Sequence, residues 1–241
     1  MTTESEALRY GQTEVECGVD WLSLLQIRPG VTAVIGSGGK TTLLRTLGAQ
    51  LCRWGTVILC TTTHIRPFGD LTCLPSPTEE ELFYALQTHR LLCVGTPEPE
   101  TGKLTAPDIP VGRLRLLADF ILVEADGAAG RPLKAHAPHE PVIPPSANQT
   151  ICVVGLAGLG RPIAEAAHRP ERYAALAGAA PEDTATPERA ARVLRRENLA
   201  DRYLFNQADT PERAELGEQM AERLGLPAAL SVLREGRIWK C

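Results

Sequence analysis

The chain has 241 residues, of which 44% are hydrophobic, and a formal net charge of −4. Basic and acidic residues are interspersed, so composition predicts no polybasic surface for nucleic acid. No apolar stretch is long enough to cross a bilayer, and the N-terminus lacks the basic and apolar regions of a signal peptide. We therefore expect a cytoplasmic protein that binds neither nucleic acid nor membrane.

Residues 1–20 are polar and are predicted to form a flexible N-terminal arm, followed by a single domain at 21–241. Apolar runs predict strands at 31–35, 56–60, 91–94, 120–123, 151–155 and 202–205. Helical patterns lie at 40–53, at 78–87 and from 211, and a closing hairpin is predicted around 235–236. Because strands alternate with helices, the predicted fold class is α/β, with a mainly parallel sheet sandwiched by helices.

A glycine-rich loop follows the first predicted strand and leads directly into a helical pattern. Its residues are Gly36, Ser37, Gly38, Gly39, Lys40, Thr41 and Thr42. Glycines let the backbone turn its N–H groups inward, and a helix N-terminus favours bound anions. Lys40 could reach the β- and γ-phosphates of a nucleotide, and the hydroxyl of Thr41 could ligate Mg²⁺. We therefore predict a P-loop NTPase-like fold that binds ATP or GTP with Mg²⁺.

The spacing of this loop is the short form G-x-x-G-K-T. It resembles the loops of the Mur ligases and folylpolyglutamate synthases. A second Gly-Lys pair at 102–103 has no strand before it and is predicted to be a turn.

Two acids, Glu124 and Asp126, follow the predicted strand at 120–123. In phosphate-loop proteins the strand beside the loop typically ends in an acid that holds Mg²⁺ or its bound water. Residues two apart on an extended chain face the same side. We predict that both acids approach one metal ion together with Thr41 or, alternatively, that one of them orients an attacking water. With Lys40 they form the predicted catalytic group.

Further polar residues are predicted to sense the γ-phosphate or to hold an anionic second substrate. They are Thr62, Thr63 and His64 after the second predicted strand, and Arg131 and Lys134 in the proline-rich stretch 127–150. A threonine-capped turn is the alternative for the first group. His136 and His139 have metal-ligand spacing only on a helix, which the nearby prolines disfavour, so we predict no metal site there.

The segment 205–209 reads F-N-Q-A-D and follows the last predicted parallel strand. It resembles the N-K-x-D motif of GTPases, in which the Asp accepts hydrogen bonds from guanine and the Asn braces the phosphate loop. Asn206 and Asp209 are therefore predicted nucleotide-binding residues. Gln207 stands in place of the motif's lysine, which leaves selectivity for guanine open. A helix-start turn is the alternative interpretation.

Taken together, these stretches resemble the YqeC family of selenium-dependent hydroxylase accessory proteins. The resemblance rests on segments at 35–42, 61–64, 123–127, 131–135, 140–144, 168–171 and 205–209, which occur in the family's order. It implies a nucleotide-binding protein that assists maturation of selenium-dependent molybdenum hydroxylases. Its partners would then be a hydroxylase or the proteins that insert its cofactor.

Three functions remain open at this level. The first is a Mg²⁺-dependent accessory protein that hydrolyses or uses a nucleoside triphosphate. The second is a kinase or ligase, similar to the Mur enzymes, that acts on a small acidic metabolite. The third is a non-catalytic binding switch whose loops order around the γ-phosphate.

Overall fold

A computed structural model of the protein describes residues 21–241, so the predicted arm at 1–20 lies outside the described residues. Its twelve strands are β1 (Gly30–Gly36), β2 (Val57–Thr61), β3 (Cys73–Pro75), β4 (Leu91–Glu98), β5 (Lys103–Thr105), β6 (Phe120–Glu124), β7 (Leu133–Lys134), β8 (Ala147–Gly155), β9 (Ala167–His168), β10 (Arg202–Asn206), β11 (Ala228–Val232) and β12 (Arg237–Lys240). Its eight helices are α1 (Trp21–Leu25), α2 (Lys40–Leu51), α3 (Glu79–Thr88), α4 (Val111–Leu114), α5 (Ile163–Ala166), α6 (Pro170–Ala177), α7 (Pro187–Glu197) and α8 (Pro211–Leu224).

Ten of these strands form one sheet, in the order β12-β11-β10-β8-β1-β6-β2-β4-β3, with β5 paired to β4. All pairings are parallel except those of β12 and β5, which close hairpins at two edges. The strand β1 lies between β8 and β6, both parallel to it. Because parallel strands end at the same edge of a sheet, the loops after β1, β6 and β10 meet there.

Helices cover both faces of the sheet. Leu43, Leu44 and Leu47 of α2 pack with α1 against one face. On the other face, α3 and α4 cover one end, and α6, α7 and α8 cover the other. Successive residues of a strand point to opposite faces, so a strand covered on both sides is mostly apolar, as β1 and β6 are apart from Thr32 and Glu124. The predicted α/β class with a mainly parallel, helix-flanked sheet is confirmed, and it is consistent with a P-loop NTPase-like fold.

The predicted strands and helices are present, with shifted ends. The helix predicted from Thr78 begins with a capping box, in which Thr78 and Glu81 satisfy each other's backbone N–H groups. Two boundaries were wrong. Residues 96–98 extend β4 because they pair with 103–105, and β8 begins at Ala147, inside the proline-rich stretch, and not at the predicted residue 151. Within residues 21–241, no helix combines the length and apolar character needed to cross a bilayer.

Candidate functional site

The glycine loop turns sharply between the end of β1 and the start of α2. Gly36, Gly38 and Gly39 have φ angles of 91°, 80° and 136°, a region that side chains rarely occupy. Space is also limiting, because a Cβ on Gly38 would lie 2.5 Å from the backbone nitrogen of Gly155. Glycine is therefore required at Gly38 by conformation and by the closeness of the end of β8.

Lys40 is the first residue of α2, and its side chain folds back under the loop. Its ammonium donates a hydrogen bond to the carbonyl oxygen of Gly36 at 2.8 Å. The same nitrogen lies 3.2 Å from Oδ1 of Asp126 and 3.8 Å from Oε1 of Glu124. The structure thus brings the three predicted catalytic residues together at the edge of the sheet where β1 and β6 end.

Glu124, the last residue of β6, faces the start of α2. Its Oε2 accepts a hydrogen bond from the hydroxyl of Thr41 at 2.8 Å. Burial raises the pKa of Glu124, although the charge of Lys40 and the Thr41 hydrogen bond act in the opposite direction. Because burial disfavours its charged form, a cation bound beside Glu124 would stabilise the ionised carboxylate.

Asp126 is completely buried and is used by several partners at once. Its Oδ2 accepts a hydrogen bond from the backbone N–H of Gly36 at 2.8 Å and lies 3.1 Å from the ammonium of Lys134. Burial is the largest influence on the pKa of Asp126 and would raise it. The hydrogen bond with His136 and the charges of two lysines outweigh burial and lower this pKa to about 2.

His136 links Asp126 to the end of α7. Its Nε2 lies 2.8 Å from Oδ2 of Asp126, and its Nδ1 lies 2.8 Å from Oε2 of Glu197. The backbone N–H of His136 also donates to Oε1 of Glu197 at 2.7 Å. Burial acts to lower the pKa of His136, but the hydrogen bonds with both carboxylates raise it, which favours an imidazolium that donates from both nitrogens.

Lys134 lies beside this histidine and is also buried. Its ammonium lies 3.0 Å from Oε2 of Glu140, and it donates a hydrogen bond to the carbonyl oxygen of Gly127. Because its ammonium lies close to the carboxylates of Asp126 and Glu140, Lys134 acts in this structure as a counter-ion of both acids. We call Asp126, Lys134, His136, Glu140 and Glu197 the buried cluster.

Glu197 was not predicted from the sequence to be a site residue. A signal was present, because Ala190 and Leu194 lie on the apolar side of α7 and Glu197 follows at the same helical spacing. An acid at that position is directed toward the core, and its side chain is only 7% exposed. Such a residue requires a buried partner, which is His136.

An open cleft of about 550 Å³ lies above the loop. Its lining includes Gly38, Gly39, Lys40, Thr41, Thr42 and Glu124 at one end, Arg131 at the side, and Asn206, Asp209, Arg213 and Arg234 at the other end. Ser37 belongs to the loop but does not line the cleft. Its hydroxyl donates a hydrogen bond to the carbonyl oxygen of Pro132 at 2.6 Å. Five of the seven predicted loop residues, 38–42, therefore share one cleft with Asn206 and Asp209, whereas Gly36 and Ser37 do not line it.

The predicted switch residues after β2 do not line this cleft. The backbone N–H of Thr62 donates to the carbonyl oxygen of Glu124 at 3.1 Å, and its hydroxyl donates to the carbonyl oxygen of Val142 at 2.7 Å. The N–H of Thr63 is bonded to the hydroxyl of Thr61 at 3.0 Å. His64 is 52% exposed and lies 3.3 Å from Glu98. These contacts connect Thr62 to the backbone of β6, while His64 faces solvent.

The donor groups near Lys40 fit a magnesium ion better than a metal held by protein alone. Among the residues that the structure describes, no group of three or more His, Cys, Asp or Glu side chains could hold a metal ion. Mg²⁺ is usually bound through one or two carboxylates together with phosphate and water. The hydroxyl of Thr41 and the carboxylate of Glu124, 2.8 Å apart, form that kind of donor set. His136 and His139 do not, since the first is paired in the buried cluster and the second is exposed.

The fold defines an α/β protein with a mainly parallel, helix-flanked sheet, which is consistent with a P-loop NTPase-like fold. Comparison with known proteins places it more narrowly: the profile of the YqeC protein family matches residues 32–171, more than half of the chain, and the chain belongs to that family. It is 36% identical over 166 residues to a protein of Escherichia coli K12 named "Uncharacterized protein YqeC". That alignment covers 66% of this chain and 65% of the relative, which is less than two thirds of the relative's length.

Proposed function

We propose that this protein binds a nucleoside triphosphate with Mg²⁺ in the cleft above the glycine loop and hydrolyses it. The observation that carries the proposal is the convergence of Lys40, Thr41 and Glu124 on a loop whose three glycines have positive φ angles. A cation, a hydroxyl and an acid at the start of a helix form the arrangement that phosphate and its metal ion require.

In the proposed complex, the backbone N–H groups of the loop and the ammonium of Lys40 hold the β- and γ-phosphates. Phosphate oxygens take the place of the Gly36 carbonyl oxygen as the main partner of Lys40. Water adds to the γ-phosphorus while the bond to the β,γ-bridging oxygen breaks, which gives a nucleoside diphosphate, inorganic phosphate and a proton. The fixed positive groups stabilise charge on the transferred phosphoryl group.

Thr41 and Glu124 would hold Mg²⁺, which neutralises negative charge on the phosphates when it is bound. The raised pKa of Glu124 supports this role, because its ionised form is the one that gains from a nearby cation. Asp126 is assigned a different role. Its Oδ2 is already shared by the Gly36 N–H, His136 and Lys134, so it positions the start of the loop and the tip of Lys40.

The test is a titration of Mg²⁺-nucleotide into wild-type protein and two lysine variants. Lys40→Ala should weaken binding roughly 10- to 100-fold, the value of a hydrogen bond to a charged group, and should abolish turnover. Lys103→Ala is the matched control, since Lys103 also follows a glycine but begins the edge strand β5. Thermal unfolding establishes that both variants are folded. Equal affinity and turnover in Lys40→Ala and wild type would refute the proposal.

We further propose, from family membership, that nucleotide turnover assists the maturation of selenium-dependent molybdenum hydroxylases. The candidate partners are a hydroxylase or the proteins that insert its cofactor. The test is hydroxylase activity in cells that lack the gene and carry either the wild-type protein or Lys40→Ala. If Lys40→Ala restores hydroxylase activity as well as the wild-type protein does, the accessory role does not require nucleotide turnover and this proposal fails.

A further inference from the structure

The far end of the cleft, after β10 and β11, is joined to the phosphate loop through Asn206. The side-chain N–H₂ of Asn206 donates to the carbonyl oxygen of Gly38 at 2.7 Å. Its Oδ1 accepts hydrogen bonds from the backbone N–H of Leu233 at 3.0 Å and the hydroxyl of Ser231 at 3.2 Å. Both ends of the amide are occupied, so Asn206 fixes the distance between the loop and this end of the cleft.

Gln207 is likewise engaged with protein. Its φ angle of 70° is unusual for a residue with a side chain, and its Oε1 accepts a hydrogen bond from the N–H of Ala157 at 3.4 Å. The side chain therefore extends over Gly155, beside the loop. Gln207 lines the cleft together with Val232 and Leu233, which provide apolar surface.

Three charged side chains remain to contact a ligand at this end. They are Asp209, Arg213 and Arg234, all in the lining of the cleft. Arg213 donates a hydrogen bond to Oδ1 of Asp209, one turn earlier in the chain. This hydrogen bond is the largest influence on the pKa of Asp209 and lowers it, and the charge of Arg234 adds to the effect. Asp209 is thus an ionised acceptor in the same lining as two guanidinium groups.

A base bound here must match one carboxylate and two guanidinium groups. Guanine presents two adjacent N–H donors, N1 and N2, which suit a carboxylate, and two acceptors, O6 and N7, which suit an arginine. Adenine and cytosine each lack the adjacent pair of donors. We propose that this end of the cleft selects guanine nucleotides, with Asp209 accepting from N1 and N2 and Arg234 donating to O6. This inference rests on the proposed function, because it assigns the base of the same nucleotide.

The experiment compares Mg²⁺ complexes of GTP, ATP, CTP and xanthosine triphosphate by equilibrium titration. Wild-type protein should bind GTP about tenfold or more tightly than the other three, as expected when one base satisfies groups that others leave unpaired. Asp209→Asn should reverse this order in favour of xanthosine triphosphate. The asparagine Oδ1 can accept from N1–H of xanthine, and its N–H₂ can donate to the oxygen at C2.

Two further variants complete the test. Arg234→Ala should weaken GTP binding and leave ATP binding within about twofold, because guanine presents an acceptor at O6 where adenine presents an N–H₂ donor. Glu215→Gln is the control, since Glu215 is an exposed acid of α8 that does not line the cleft. It should keep the wild-type order of affinities. Thermal unfolding confirms that each variant is folded.

The outcomes separate this inference from the function on which it rests. If wild-type protein binds none of the four nucleotides, the proposed function fails and the base assignment fails with it. If all four bind with equal affinity, nucleotide binding stands and selection of guanine is overturned. If GTP is preferred equally by wild type and Asp209→Asn, the assignment to Asp209 is wrong.

Discussion

The site has two regions that differ in how their charged groups are satisfied. In the buried cluster below the loop, charges pair with each other, as Asp126, Lys134 and His136 do. In the open cleft above it, Glu124, Arg131 and Arg234 face space that a ligand can enter. Glu124 and Asp126 are only two residues apart, yet Glu124 lines the open cleft and Asp126 belongs to the buried cluster. Burial raises the pKa of Glu124, while partners lower the pKa of Asp126 to about 2.

The two acids after β6 can therefore have different roles. Oδ2 of Asp126 is bound by three protein groups, and its Oδ1, which has no hydrogen bond, lies 3.2 Å from the ammonium of Lys40, so this acid holds the loop in place. Glu124 accepts a hydrogen bond from Thr41, and because burial raises its pKa, a bound cation would stabilise its ionised form. The comparison predicts that removing the first acid damages folding, while removing the second damages binding and turnover.

The largest expected effect comes from Asp126→Ala. This change leaves Lys134 and His136 buried without their shared carboxylate, and breaking a buried ion pair typically costs about 3–5 kcal/mol. Urea denaturation at neutral pH would measure the loss. Because the pKa is lowered from 3.8 to about 2, the stabilisation is complete above pH 3.8 and disappears as the pH falls toward 2.

The control for this variant is Asp70→Ala, which removes an exposed ion pair with Arg45. Exposed pairs contribute little, so its unfolding curve should overlay that of wild type. Equal and small losses in Asp126→Ala and Asp70→Ala would abolish the distinction between the buried cluster and the surface.

A smaller effect is expected for Gly38→Ala. A Cβ there is strained by a φ of 80° and would also lie 2.5 Å from both the nitrogen and Cα of Gly155. The conformation alone costs roughly 1–3 kcal/mol, and the contact also forces the loop away from β8. We expect reduced stability in thermal unfolding together with loss of nucleotide affinity.

Gly160→Ala separates these two causes. Gly160 has a φ of 81°, but a Cβ there meets no atom within 4 Å. It should show the conformational cost alone and keep the wild-type nucleotide affinity. If both alanine variants bind nucleotide as wild type does, the close approach of Gly38 to Gly155 is not needed for the site.

The glycine loop and its neighbour Glu124 were predictable because their signals are local. A buried strand followed by Gly36 and Lys40 indicates a phosphate loop from sequence alone. The rule that parallel strands end at one edge then places Glu124 near Lys40. The fold class followed from the same alternation of strands and helices.

The buried cluster was not predictable because its contacts are remote in sequence. Glu197 meets His136 only after α7 packs on the sheet, and no short pattern records that pairing. Lys134 was predicted to hold an anionic second substrate, and its two carboxylate partners, Asp126 and Glu140, were not predicted for the same reason. Arg213 and Arg234 were missed because side chains after β10 and β11 converge only in three dimensions.

The smallest expected change in stability belongs to Glu124→Gln, and it tests the comparison most directly. Gln keeps an acceptor for the Thr41 hydroxyl and removes a buried charge whose pKa is raised, so unfolding free energy should stay within about 1 kcal/mol of wild type. Mg²⁺-dependent turnover should nevertheless fall roughly tenfold or more, since an amide is a weaker magnesium ligand than a carboxylate. Denaturation and hydrolysis assays on the same preparation would measure both. A variant with normal turnover and strongly reduced stability would instead assign Glu124 to the buried cluster, and the two acids would then share one structural role.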